Sequence, residues 1–303
     1  MQAVQSYHCT NAQQRAVMAT TPASKRGVAL IEACDFKPSC LRRNATGRLR
    51  QLLSFSKSQS VEDLHAYLQF FDASGYNATR QARGGVYVEL GALDGVAFSN
   101  SLFFQQKLGW SGVLIEAALH NFLLLSKNIA HGVRRNVSAV HAAACPSPTM
   151  LQIPLPVGYY DAGSDVLNSR KMRGASGRAT NSTATSMLYT FKSKGTATLD
   201  LAPVLCVPMR TLLEGAPHTA HARGIELFSI DVEGHELNVV ASHDWRRLPA
   251  KVVIVEMNKR TNSPANQAQI RGVLRESGGL CFFGWSGHGN EVWVDPEYEH
   301  KIA

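Results

Sequence analysis

The sequence predicts an α/β protein with an open, doubly wound, mostly parallel sheet and an antiparallel edge hairpin. Three observations carry this. Residues Val86 to Leu90 alternate β-formers and run into the turn Gly91-Ala92-Leu93-Asp94-Gly95, with a helix start at Ser99-Asn100. Strand, glycine turn and helix in that order build the ligand end of such a sheet. A second strand, within residues 109–116, ends in Glu116 and begins roughly 20 residues after the first turn, the usual βαβ distance. Further on, the apolar runs 227–230 and 252–255 end in Asp231 and Glu256, two strand ends that neighbour each other in this arrangement.

The elements follow in order. No fold is assigned before about residue 58, and residues 1–58 read as a disordered leader or a transit peptide. Residues 59–303 form one domain, with a flexible insertion at about 157–200. A helix over 61–71 has Ser60 as cap and Asp63 as the return partner of a capping box. Val61, Leu64, Tyr67, Leu68 and Phe71 give it one apolar face. A helix over 99–108 stops at Gly109, and another covers 121–130. A buried strand spans 137–143, and the small residues Ala143, Ala144 and Cys145 after it can form an adenine slot. The Gly/Ser/Thr-rich insertion is too long for an ordinary connection and reads as a disordered loop or a lid. A strand and short helix occupy 204–213. Glu233-Gly234-His235-Glu236 opens the helix between Asp231 and the next strand. The last helix has Ser263 as cap, Pro264 at its first position and Gly278 as its stop. Two closing strands, 280–285 and 291–294, make the hairpin.

The first turn discriminates between ligands. A dinucleotide site needs Gly-x-Gly-x-x-Gly so that bare backbone approaches a pyrophosphate. Here Leu93 stands where the second glycine belongs. Glu89 puts negative charge where a diphosphate would lie and suits a ligand with a cationic amino group. Acidic-x-Gly-x-x-x-Gly after a strand resembles motif I of class I S-adenosylmethionine (SAM) methyltransferases. Glu116 can accept from both ribose hydroxyls of a nucleoside, whether SAM or NAD.

Taken together, residues 88–95, Ser99-Asn100-Ser101, residues 109–117, residues 228–237 and residues 253–258 resemble the FkbM family of methyltransferases. The resemblance covers about residues 84–295, with a gap in the middle. It implies a Rossmann-like, SAM-dependent O-methyltransferase domain acting on a hydroxyl of a sugar or other small acceptor. The cofactor residues it implies are Glu89, Gly91, Asp94, Gly95, Asn100 and Glu116.

The chemistry is expected at the third motif. Methyl transfer to oxygen needs the acceptor hydroxyl deprotonated, by a general base or by a metal that lowers its pKa. Asp231, His235 and Glu256 are the catalytic candidates, with Asp231 or His235 as the base. The alternative route holds a divalent cation through Asp231, Glu256 and Asn258, since hard cations prefer oxygen ligands. Glu233 and Glu236 also have a plainer role, as acids in the first turn of a helix.

Composition narrows the partners. The 303 residues are 45% hydrophobic, enough for a core. The net charge of +8 is dispersed in short clusters such as Arg42-Arg43, Arg134-Arg135 and Arg246-Arg247. It reads as solvated surface rather than a nucleic-acid face. The Asn-Pro-Pro-Tyr and Pro-Cys motifs of nucleic-acid methylases are absent. No apolar run reaches the length of about 18 residues that a membrane helix needs. The expected partner is a small hydroxylated acceptor such as a glycan or metabolite. The competing reading is a noncatalytic binding or trafficking module that keeps the fold.

The compartment is open. Met1 to Ile31 contain no Asp or Glu, a transit-peptide composition. Four Asn-x-Ser/Thr sequons, at Asn44, Asn77, Asn136 and Asn181, point instead to a secretory route. Cys34 and Cys40 are close enough to bridge, whereas Cys145, Cys206 and Cys281 read as buried thiols, and no zinc spacing occurs.

Overall fold

The computed structural model describes residues 7–18, 21–72, 84–155 and 201–302. The chain opens with four helices, α1 (Asn11–Val17), α2 (Pro22–Ala33), α3 (Pro38–Asn44) and α4 (Gly47–Leu53). Then come α5 (Glu62–Ala66) with a π-turn at Tyr67–Phe71, β1 (Val86–Leu90), α6 (Leu102–Leu108), β2 (Ser111–Glu116), α7 (Leu119–Ala130), β3 (Val137–His141), β4 (Ala143–Ala144) and β5 (Thr149–Pro154). After the insertion follow β6 (Leu201–Val207), α8 (Met209–Glu214), α9 (Pro217–Ala220), β7 (Ile225–Ile230), α10 (Glu236–Ser242), β8 (Ala250–Glu256), α11 (Pro264–Glu276), β9 (Cys281–Trp285), β10 (Asn290–Val294) and α12 (Tyr298–Lys301).

The main sheet has the order β3-β2-β1-β7-β8-β10-β9. The strands from β3 through β8 are parallel, and β10 runs antiparallel to both β8 and β9. This is the predicted doubly wound sheet with its antiparallel edge hairpin. Strand order reverses between β1 and β7, so the carboxyl ends of these two strands flank the crevice where open sheets bind ligands. A second sheet, β4-β6-β5, was not foreseen and stands beside that crevice.

Alternate residues of each strand face opposite layers. Tyr87, Leu114, Leu227 and Val252 pack on the amino-terminal helices. Val88, Val113, Phe228 and Val253 pack with Leu212, Val240 and Ile270 on the other face.

Residues 1–58 are therefore not an unstructured leader where the structure describes them. Ile31, Leu41 and Leu52 of α2, α3 and α4 are buried in the same core as Phe70, Phe71 and Tyr87. Thr10 and Thr21 each close a reciprocal capping box, and Pro22 starts α2 at a position where its missing N–H is not needed. Short helices carry little periodic signal, which is why this layer was not visible in the sequence.

The expected Ser60–Asp63 capping box is absent. Val61 caps α5 with φ +56°, and the Ser60 N–H is taken by the Glu62 carboxylate at 2.7 Å. Asp63 instead accepts from the hydroxyls of Ser56 and Ser58, each at 2.6 Å. The α6 helix starts at Leu102, later than expected, because Ser99 and Asn100 belong to the loop that bonds back to Glu89. Its stop, Gly109, has φ +68° as expected of a left-handed C-terminal glycine.

All six cysteines are paired, as Cys9–Cys281, Cys34–Cys40 and Cys145–Cys206. The Cys34–Cys40 bridge matches the sequence reading, but Cys145, Cys206 and Cys281 are buried disulfides rather than thiols. Cys145 and Cys206 meet because β4 and β6 run side by side, with the Cys145 N–H donating to the Val207 carbonyl at 2.9 Å. The insertion at 157–200 lies outside the described residues. No helix of the described residues is long and apolar enough to cross a membrane.

Candidate functional site

A cavity of about 270 Å³ opens at the carboxyl ends of β1, β2 and β7. Its wall contains Glu89, Gly91, Asn100, Glu116, Asp231 and His235, so six of the predicted site residues come together in one place.

The first turn is built by hydrogen bonding. The Gly91 and Ala92 N–H groups donate to the Ile115 carbonyl at 3.0 and 3.2 Å, tying the turn to β2. Gly91 has φ +73°, and a Cβ there would lie 1.8 Å from the Asp231 carbonyl oxygen. Only glycine fits. Leu93, at the place of the missing second glycine, is itself left-handed with φ +49°.

Glu89 is buried beneath this turn. It accepts from Asn100 N–H at 2.7 Å and from the hydroxyls of Ser99 at 2.8 Å and Ser101 at 2.5 Å. The buried Arg134 guanidinium stands behind these serines and donates to Ser101 Oγ at 2.8 Å and to the Tyr87 hydroxyl at 3.1 Å. Arg134 is thus an internal support of the site, not part of a solvated surface cluster. Asn100 donates through its side chain to Ser229 Oγ at 2.9 Å, while its Oδ1 is buried with no hydrogen-bond partner.

Glu116 holds two loops at once. Its oxygens accept from Leu93 N–H and Ala118 N–H, both at 2.8 Å. Burial pushes its carboxyl up to about 7, against the pull of these donors. Asp94 and Gly95 are not among the described residues that line the cavity. The Asp94 carboxylate accepts from Val96 and Ala97 N–H at 2.9 and 2.7 Å, which shapes the turn. Gly95, with φ +76°, lies where a Cβ would strike the Leu125 side chain at 2.6 Å. Both residues build the loop behind the residues that line the cavity.

The second wall comes from the loop after β7. Glu233 and Gly234 have φ +54° and +100°. The buried Glu236 fastens this loop, accepting from Val232 and Gly234 N–H at 3.0 and 3.1 Å and from Asn262 Nδ2 at 2.7 Å. His235 caps α10, and its Nδ1 lies 3.3 Å from Asn238 Nδ2. Asp231 keeps accessible surface toward the cavity. Enclosure by protein, then the carboxylates of Glu256, Glu233 and Glu236, raise its carboxyl well above the usual range. Burial and the same neighbours bring Glu256 up to about 7.

Asp231, Glu236 and Glu256 each offer an oxygen within 4.8 Å of the others. The metal route drawn from sequence named Asn258 as the third ligand. Instead Asn258 Oδ1 accepts from Arg260 N–H at 2.9 Å and shapes a turn, and Glu236 takes the place beside the two acids.

Sequence reasoning missed several walls. Gln59 and Phe98 reach the cavity from the amino-terminal side, where an isolated bridge joins Ser58 and Phe98. Phe98 is 49% exposed and has φ +60°. Leu151 and Ile153 of β5 join Ala143 and Ala144 in an apolar wall of the cavity, whereas Cys145, the third small residue named for an adenine slot, is tied up in its disulfide. Three non-glycine residues with positive φ, Leu93, Phe98 and Glu233, line one cavity. Such strain persists where the surroundings enforce it, and it concentrates at functional sites. Trp285 and Trp293 are not among the lining residues, and Trp293 is buried in the hairpin core.

A family model for the methyltransferase FkbM domain matches residues 89–279, which takes in both loops of the cavity. The chain belongs to the FkbM methyltransferase family. The amino-terminal helices and both hairpin strands, β9 and β10, lie outside the matched span. No curated protein matches the chain. Among solved structures, it is similar to a methyltransferase FkbM from Methylobacillus flagellatus KT, at 11% identity and TM-score 0.38, over 89% of this chain and 59% of that one. It is also similar to NcsB1, an O-methyltransferase from neocarzinostatin biosynthesis solved with S-adenosyl-L-homocysteine and 1,4-dihydroxy-2-naphthoic acid. That likeness has 14% identity and TM-score 0.30, over 90% of this chain and 68% of NcsB1. The chain thus spans about three-fifths of the length of the Methylobacillus protein.

Proposed function

We propose that this FkbM methyltransferase binds SAM in the cavity and methylates a hydroxyl of a sugar or other small acceptor. The observation that carries the reading is the convergence of a nucleoside-type wall and an acidic wall on one cavity. Glu116 and the small apolar wall of Ala143, Ala144, Leu151 and Ile153 suit a ribose and an adenine. The unpartnered Asn100 Oδ1, with Glu89 behind it, suits a cationic amino group. SAM supplies an electrophilic methyl group when bound.

The chain's own residues supply the rest. Asp231 is the base. A carboxyl raised from its usual range takes a hydroxyl proton more readily than an ordinary one. His235, on the same loop, is the second candidate for this proton, and Glu256 keeps the Asp231 carboxyl raised through its charge. The exposed ring of Phe98 and the amide of Gln59 form the mouth on the side where an acceptor enters.

The test is calorimetry with SAM, followed by labelled-SAM screening of hydroxylated metabolites. Binding is expected, and its absence at millimolar ligand sinks the enzyme reading in favour of a binding module. Asp231→Asn is expected to bind SAM nearly as well as wild type and to lose about 10²- to 10⁴-fold in turnover. Wild-type turnover by that variant overturns the assignment of the base.

A second reading is favoured by the 4.8 Å grouping of Asp231, Glu236 and Glu256. There these oxygens hold a divalent cation that acidifies the hydroxyl. Activity that survives chelation keeps the base reading, and activity restored only by a divalent cation replaces it.

A further inference from the structure

We propose that Asn44 and Asn136 carry N-linked glycans. Each heads a sequon, Asn44-Ala45-Thr46 and Asn136-Val137-Ser138, and both asparagines are exposed. Neither is among the described residues that line the cavity, so a glycan at either leaves the site open. Asn44 ends α3, where its Nδ2 donates to the Cys40 carbonyl at 3.0 Å. A glycosylated amide keeps one N–H, so that bond survives the modification. Asn136 sits with φ +50° just before β3, the outer strand of the seven-stranded sheet. A bulky polar group there stands beside an open strand edge and blocks pairing with another chain.

Exposed sequons occur by chance, and the disulfides are the independent observation. No cysteine is free, and two of the three bridges join residues 272 and 61 positions apart. Bridges of this kind form and persist where the surroundings are oxidising. One such surrounding, the lumen of the endoplasmic reticulum, also holds the machinery that glycosylates sequons. In that step the asparagine Nδ2 attacks the anomeric carbon of a lipid-linked oligosaccharide. A C–N bond forms, the C–O bond to the polyprenyl diphosphate breaks, and the amide gives up one proton. Both observations place the chain in the secretory route rather than in an organelle reached through a transit peptide.

The test uses the protein purified from its own source. Treatment with peptide N-glycosidase in ¹⁸O-water, followed by peptide mapping, is expected to convert Asn44 and Asn136 to isotope-marked Asp. Both peptides unmodified before treatment overturns the proposal, and modification of one alone overturns the assignment at the other. Asn44→Gln and Asn136→Gln, made through the same pathway, are each expected to remove one step of gel mobility and leave methyl transfer unchanged. A variant that loses no step overturns its site.

Discussion

Glu116 shows how one side chain serves two purposes. It ends β2 under the cavity, and its two oxygens pin the Leu93 and Ala118 amides. Glu116→Ala releases both loops and removes the acceptor proposed for a ribose. Hydrogen bonds to charged groups are worth about 1.5–3 kcal/mol each. SAM binding is therefore expected to weaken by at least about tenfold, read by calorimetry, while far-ultraviolet circular dichroism stays as in wild type. Unchanged affinity removes Glu116 from the cofactor site. The position of Glu116 was legible in the sequence, because a strand end roughly 20 residues past a glycine turn is a local signal. The role that the structure gives Asp94 is equally local. An aspartate two residues before a free amide can bond its own turn as readily as a ligand, and Asp94 does so with Val96 and Ala97.

Among the elements, α5 couples the amino-terminal layer to the candidate site. Its first residue, Glu62, is buried, accepts from Asn290 Nδ2 at 3.2 Å and raises the Asp231 carboxyl through its charge. Burial pushes Glu62 itself up to about 7 from an ordinary 4.5. The folded state then holds a proton that the unfolded chain releases between those two values. This contribution to stability is full below about pH 4.5 and is lost as pH rises through about 7. Glu62→Gln removes it. The melting temperature of the variant is expected to fall less than that of wild type across this window, measured by thermal scans in matched buffers. Equal slopes show that Glu62 is ionised throughout. None of this was legible from the sequence, which gave Ser60 and Asp63 the capping roles. The αL conformation of Val61 turns Glu62 back onto the Ser60 amide, and a β-branched residue gives no warning of that conformation.

At the scale of the molecule, the mostly parallel sheet and its antiparallel edge hairpin were readable, since four of the parallel strands run into motif residues at Glu89, Glu116, Asp231 and Glu256. The disulfide framework was not. Cys9 and Cys281 are 272 residues apart, and only the docking of the first segment onto β9 brings them together, with the Cys9 N–H donating to the Phe282 carbonyl at 3.0 Å. Loop-closure entropy grows slowly with length, so this bridge is expected to stabilise by about 5 kcal/mol and the short Cys34–Cys40 bridge by about 2 kcal/mol. Cys9→Ser is therefore expected to lower the urea midpoint more than Cys34→Ser. The reverse order shows that Cys9 stays docked without its bridge. The backbone contact at Gly91 has a reach of the same scale. With no side chain between Gly91 and the Asp231 carbonyl, the loops after β1 and β7 abut as bare main chain. Close-packed backbone has no slack to absorb a shift. The two loops are geared together, so whatever seats itself against the first also sets the aim of the second.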